Sequence, residues 1–136
     1  MTSESNADEP ATPARAAFVD HLTLRVRDLG TSRRFYRSAL GPWDAREVEL
    51  GGGEISFGPK GSEDLAIAAG EPSGPIHLAF AAPDRETVDG FYRAALESGG
   101  RDNGAPGERP QYHPGYYAAY VLDPDGNNVE AVCHGP

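Results

Sequence analysis

Cysteine occurs once in these 136 residues, at Cys133, so no disulfide can form within the chain. A single thiol in an apolar run reads as a small core residue rather than a nucleophile. Positive charge is scarce: 12 Lys and Arg stand against 21 Asp and Glu, a net charge of −9. That balance excludes nucleic acid and anionic membrane surfaces as expected partners, because both demand a basic face. No apolar run approaches the roughly 18 residues of a membrane-spanning helix, and no secretory leader is recognisable. Residues 1–15, MTSESNADEPATPAR, lack a hydrophobic stretch and are read as a disordered tail. The expected location is cytoplasmic. Residues 16–136 suffice for one domain with one core.

Within that domain the chain nearly repeats itself. His21-Leu-Thr-Leu-Arg-Val-Arg-Asp28, Thr31, Phe35-Tyr-Arg37 and Ala39-Leu40 recur 56 residues later. The second copy runs His77-Leu-Ala-Phe-Ala-Ala-Pro-Asp84, Thr87, Phe91-Tyr-Arg93 and Ala95-Leu96, with 9 of 20 aligned positions identical. A module of about 18–70 is therefore expected to be followed by a second of about 75–134. Each opens with a histidine at the same point of a strand-like run.

Phe18 to Val26 alternates, placing His21, Thr23 and Arg25 on one face and Leu22, Leu24 and Val26 on the other. Asp28 offers a helix N-cap, and Phe35, Tyr36, Ala39 and Leu40 fall at helical spacing before Gly41-Pro42. Strands are expected at about 44–50, 53–58 and 64–69. The second copy predicts a strand over 76–82, with His77, Ala79 and Ala81 on one face. A helix capped by Asp84 should run to about Ser98. Residues 101–115 are rich in Gly and Pro, which suits either a long substrate loop or a short strand hidden by composition. Tyr116 to Leu122 and Asn128 to Cys133 read as strands joined by the Asp123-Pro-Asp-Gly126 turn. The fold class is thus α+β: two paired βαβββ modules, each with its helix on one sheet face, the free faces together forming a cup-shaped mixed sheet.

Glu130 stands inside the last strand between Val129 and Ala131, where a carboxylate is unexpected. Two imidazoles with one carboxylate form a facial metal-binding set that leaves coordination positions open. Such donors suit one divalent ion, with Fe, Mn, Zn and Ni all compatible.

His21-Leu-Thr-Leu with Phe35-Tyr36 and Leu40-Gly41, then His77-Leu-Ala-Phe, then Tyr120-Val-Leu-Asp-Pro-Asp-Gly-Asn-Asn-Val-Glu130, resemble the vicinal oxygen chelate superfamily. That group includes glyoxalase I, extradiol dioxygenases, fosfomycin thiol transferases and bleomycin-resistance proteins. The resemblance spans about residues 18–134 and implies His21, His77 and Glu130 as metal ligands. It implies Tyr120 as a catalytic tyrosine and Thr23 as a substrate contact. His113 lies two residues from the position of an extradiol acid–base histidine and is the candidate general acid or base. Arg25, on the face of His21, is a candidate partner for Glu130 or a substrate anion. Tyr112, Tyr116 and Tyr117 suit either an aromatic substrate pocket or a core and dimer surface; Trp43 is open in the same way. His134 is expected to be solvated.

The departures narrow the chemistry. Glyoxalase I adds a carboxylate ligand on the last strand of its first module, where this chain reads Leu65-Ala-Ile-Ala-Ala69. Fosfomycin transferases place Lys and Ser where this chain has Pro110 and Ala118. The expectation is a metal-dependent enzyme acting on a small substrate with vicinal oxygens, by lyase or isomerase (glyoxalase-like) or dioxygenase chemistry. The alternative is a non-catalytic, antibiotic-sequestering protein of the bleomycin-resistance type. Relatives of this length imply a homodimer, with His21 of one subunit joining His77 and Glu130 of the other.

Overall fold

The computed structural model describes residues 18–135; the tail expected over 1–15 lies outside them. The first module comprises β1 (Leu22–Val26), α1 (Leu29–Ala39), a 3-10 turn (Gly41–Trp43), β2 (Arg46–Leu50), β3 (Glu54–Gly58) and β4 (Leu65–Ala69). The second repeats the order as β5 (His77–Ala81), α2 (Arg85–Glu97), β6 (Arg101–Glu108), β7 (Tyr117–Leu122) and β8 (Asn128–Cys133). Each module folds its strands into a four-stranded mixed sheet, ordered β1-β4-β3-β2 and β5-β8-β7-β6. In each, the first and last strands run parallel across the helical crossover and the rest are antiparallel. Among the described residues no helix is long and apolar enough to cross a membrane.

Both helices begin where a short carboxylate can cap them. Asp28 accepts from the Thr31 amide at 2.9 Å, and Asp84 accepts from the Thr87 amide at 2.8 Å. The Thr31 amide bond at Asp28, and at Asp84 the Thr87 hydroxyl bond followed by the amide bond, favour the ionised carboxylates and hold both below the usual range. The apolar faces of the helices, Phe35, Tyr36 and Ala39 on α1 and Val88, Phe91 and Ala95 on α2, are fully buried. They join Leu24, Val26, Ile55, Phe57 and Ile67 of the first sheet and Ala119, Val121, Val129 and Ala131 of the second in one continuous core. The opposite sheet faces carry no helix, and His21, Thr23, Ser56 and Ala66 line a cleft on the first.

The expected order holds, with three refinements. β1 starts at Leu22, so His21 stands one residue ahead of its strand, whereas His77 is the first residue of β5. Residues 101–108 form a strand despite Gly104, Pro106 and Gly107. β6 is an edge strand with register shifts on either side of Gly104, which is where proline and glycine can sit in a sheet. The loop left over is therefore only 109–116. Trp43 belongs to the packing: its indole N–H donates to the Ala81 carbonyl at 2.8 Å and its ring meets Phe80 and Phe91.

A second tie crosses the modules at the Asp123 turn. The Tyr36 hydroxyl, on α1, donates to Asp123 Oδ2 at 2.5 Å in the buried interior. Asp123 also accepts from the amides of Asp125 and Asn127 and from Asn127 Nδ2. The Arg27 amide reaches Asp125 at 3.3 Å from the end of β1. Burial, with Asp123 beside it, pushes the Tyr36 phenol well above its ordinary pKa.

Removing the hydroxyl leaves the buried Asp123 carboxylate short of one donor. Tyr36→Phe is expected to cost about 1.5–3 kcal/mol of unfolding free energy in urea titrations, with the backbone circular dichroism unchanged. A pH profile supplies a second check. Asp28, Glu47, Glu63 and Asp84 all titrate below their ordinary values, Glu47 and Glu63 chiefly through hydrogen bonds from Arg33 and Arg46. Their contribution is complete above the unfolded carboxyl pKa of about 4 and is lost as pH falls through the lowered values. Unfolding free energy is expected to decline below about pH 4, and Glu47→Gln should make that acid-side slope shallower.

Candidate functional site

The pairing of β5 with β8 and of β8 with β7 builds one wall of side chains. Glu130 lies opposite Ala79 on one side and Tyr120 on the other. Because alternate residues share a face, His77, Ala79, Glu130, Ala118 and Tyr120 all point away from the helix. Ala79 is small, so the His77 ring can lean across it to Glu130. His77 Nε2 lies 2.7 Å from Glu130 Oε1. The other carboxylate oxygen accepts from the Tyr116 hydroxyl at 2.5 Å. Glu130 is 1 % exposed, yet both its oxygens are engaged. A buried carboxylate without such partners would be strongly disfavoured.

The phenols around it are held neutral. Tyr116 is pushed far above its ordinary pKa, by burial first and then by the hydrogen bond to and charge of Glu130. Tyr120 rises too, through burial and the nearby Glu130 charge. Both are therefore hydrogen-bond donors. The Tyr120 ring lies 6.3 Å from that of His77, centre to centre. Tyr112, largely exposed, packs its ring 4.8 Å from that of Tyr116.

His113 lies one step behind this wall. Its Nδ1 bonds the Pro114 carbonyl at 2.8 Å, its Nε2 meets His134 Nδ1 at 2.9 Å, and its ring stands edge-on to Tyr116. His134 is exposed but paired, which its place after the last strand did not suggest. Tyr117 faces the other way, donating to Asp89 of α2 at 2.6 Å. The tyrosine cluster thus divides: Tyr112 and Tyr116 border the site, and Tyr117 ties the sheet to its helix.

The first module contributes less on its own. His21 Nδ1 lies 2.9 Å from Asp20 Oδ1, an arrangement that fixes the imidazole tautomer and leaves Nε2 available. His21 and His77 border one cleft of about 490 Å³. Even so, no group of three or more His, Cys, Asp or Glu among the described residues is close enough to hold a metal ion. Thr23 lies in the neighbouring cleft with His21, Ser56 and Ala66. The pair Thr23 and Ala66 corresponds in topology to Ala79 and Glu130, so Ala66 stands where the second module has its carboxylate. Arg25 packs its side chain against Gly70, and the partners of Glu130 are His77 and Tyr116.

Three contributors escaped the sequence reading. Asp20 orients His21, and an acid next to a histidine is the signal for it. Tyr36 reaches the turn before β8, and its sequence position showed only an apolar helix face. Arg109 stacks over the Tyr120 ring with its guanidinium carbon 5.3 Å from the ring centre, and nothing local in the sequence pointed to it.

Comparison with known proteins agrees with this architecture. Residues 18–131 match the model of the Glyoxalase/Bleomycin resistance protein/Dioxygenase superfamily. The virulence protein STM3117 of Salmonella typhimurium is 28% identical over 130 residues, covering 82% of this chain and 81% of its own. A glyoxalase/bleomycin resistance protein from Albidiferax ferrireducens superposes with a TM-score of 0.71 at 27% identity, covering 86% of this chain and 98% of that one. The fosfomycin resistance protein FosX from Mesorhizobium loti gives 0.61 at 27% identity, over 83% and 88%. With two βαβββ modules, helix-free faces bearing the paired histidines, and a family match across nearly the whole described chain, the protein belongs to the glyoxalase/bleomycin resistance/dioxygenase superfamily.

Proposed function

We propose that the chain is a metal-dependent enzyme acting on a small substrate with vicinal oxygens, built as a homodimer in which His21 of one subunit completes the His77–Glu130 pair of the other. The observation that carries this reading is the buried Glu130 carboxylate set against His77 Nε2 on an open sheet face. Carboxylate oxygen and imidazole nitrogen fit one divalent ion of the Fe, Mn, Zn or Ni group. The Asp20–His21 pair has the carboxylate–histidine form that orients a ligating imidazole. A dimer is supported because one chain leaves His21 apart from Glu130 and leaves β1 and β5 as sheet edges. Phe18 and Val19, beside His21, are exposed apolar surface that a partner would cover.

The metal would supply Lewis-acid stabilisation of negative charge developing on a substrate oxygen. The chain's own residues do the rest. His77 and Glu130 would hold the ion, and the Tyr116 hydroxyl fixes the orientation of the Glu130 carboxylate. Tyr120, a neutral phenol on the same face, donates a hydrogen bond to a substrate oxygen. His113 supports Tyr116 from behind, which makes it a positioning residue or a proton relay rather than a direct substrate contact. Thr23 and Arg25, on the partner's first module, would face the substrate from the opposite wall. The first module's Ala66 gives no fourth ligand, which favours three-ligand chemistry over a glyoxalase I arrangement.

The sequestering alternative draws on one feature, the exposed Tyr112 ring packed on Tyr116, which with the net charge of −9 would suit a cationic aromatic drug. Metal analysis separates the two. The enzyme reading expects one ion per chain in the purified protein, lost in both His77→Ala and Glu130→Ala. A metal-free protein that binds bleomycin stoichiometrically would overturn it. The dimer has its own test. A mixed dimer of His21→Ala and Glu130→Ala chains should recover one metal site, and purified mixed dimers with none would exclude sharing between subunits. Finally, Tyr116→Phe removes the donor that orients Glu130. Metal affinity measured by competition with a chelating dye is expected to fall roughly 10- to 100-fold, with the fold intact.

A further inference from the structure

The far end of the β5-β8-β7-β6 sheet carries a cation that the metal chemistry does not use. Arg109, half-buried, follows β6, the strand that pairs with β7 alongside Tyr120. Its guanidinium lies over the Tyr120 ring at 5.3 Å, on the face that holds His77 and Glu130. Nη2 donates to the Ala105 carbonyl at 2.8 Å, which anchors the fork at one corner. The space it occupies exists because β6 has glycine there. A Cβ on Gly104 would stand 2.8 Å from the Tyr120 ring and 3.4 Å from Arg109 Nη2, and one on Gly107 would stand 3.0 Å from Nη1. The strand is thus indented under the guanidinium.

Charge makes the placement informative. In a chain of net charge −9, five of the ten described arginines, Arg27, Arg33, Arg37, Arg46 and Arg85, pair with carboxylates. Glu108, the neighbour of Arg109, turns to the helix side of the sheet and pairs with Arg85 there. Among the described residues Arg109 has no carboxylate within ion-pair distance, although acidic groups are abundant. Its fork offers five N–H donors and spends one on Ala105. A half-buried guanidinium with open donors is a site for a planar anion held by two parallel hydrogen bonds.

We propose that Arg109 is the specificity residue for a distal carboxylate, so that the substrate class is an acid whose vicinal oxygens meet the metal while a second carboxylate reaches across Tyr120 to the guanidinium. The inference rests on the metal reading above and adds the polarity and the second anchor of the substrate. The Tyr120 ring, between His77 and Arg109, would pack against the carbon chain that links the two ends.

Two five-carbon probes differ only at the position in question. 2-Oxoglutarate and 2-oxopentanoate share the 2-oxo acid head, but only the first carries a distal carboxylate. Calorimetric titration of the zinc-loaded full chain at 0.15 M salt is expected to show 2-oxoglutarate binding at least about tenfold more tightly. Arg109→Gln should bring the two affinities within about twofold by weakening 2-oxoglutarate alone, and Arg109→Lys should retain part of the preference. Urea midpoints matching the parent protein would show that both variants are folded. Zinc bound stoichiometrically with no preference between the acids, or with neither bound, would refute the carboxylate role, as would a preference that survives in Arg109→Gln. Failure of the parent chain to hold zinc would overturn the metal reading itself, and this inference with it.

Discussion

Asp123 is a carboxylate that the fold cannot leave to water, and its needs organise both modules. It is 4 % exposed, and its two oxygens accept from two backbone amides, one side-chain amide and the Tyr36 hydroxyl. Three of those bonds are local and shape the turn that starts β8. The fourth comes from α1 of the other module. One buried acid therefore sets the register from which β8 begins and fixes that strand to the first helix. Glu130 lies on the same strand, and its position relative to His77 follows from where the turn releases the chain. Because an unmet buried charge is so costly, this turn has little freedom to shift, and the site inherits that rigidity.

The consequences differ between the two halves. In the second module the parallel pairing of β5 with β8 brings His77 and Glu130 together without help from any other chain. In the first, Ala66 takes the place of the carboxylate, and the open face carries His21, Thr23 and Ser56. One copy has kept an acid and a base in contact; the other offers a single oriented imidazole. A protein with two complete half-sites would have four donors to share. This one offers three, which in the proposed metal site would leave more of the coordination sphere for a substrate.

Strand and helix order was legible in the sequence because the two periods, 2.0 and 3.6, alternate twice with the same spacing. Asp28 and Asp84 announced both helix starts. The final strand and its turn were equally plain, since Asp123-Pro-Asp-Gly126 permits little else. β6 was ambiguous for a physical reason: an edge strand with bulges tolerates the glycine and proline that would break a central one. The site divided along similar lines. His21, His77 and Glu130 stood out as chemically incongruous in strand-like runs. Tyr116 was open between a substrate pocket and packing, and its hydrogen bond to Glu130, set by the curl of the 109–116 loop, was invisible to alternation. Arg109 carried no local signal, because what matters is the glycine-cleared strand beneath it and the tyrosine across from it.

Glu130 and Arg109 are best understood together, as opposite ends of one wall. The buried carboxylate makes its end of the face attractive to a cation, and the open guanidinium makes the other end attractive to an anion. Tyr120, kept neutral by burial and by the Glu130 charge, stands opposite Glu130 in register and under the Arg109 guanidinium. Had Arg109 reached Glu130, the pair would have closed into a salt bridge, and neither of the two proposed contacts would be open to a ligand. The aromatic spacer keeps each charge unsatisfied by the other, and a separation of opposite charges across a neutral ring is what a ligand with two differently charged contacts requires.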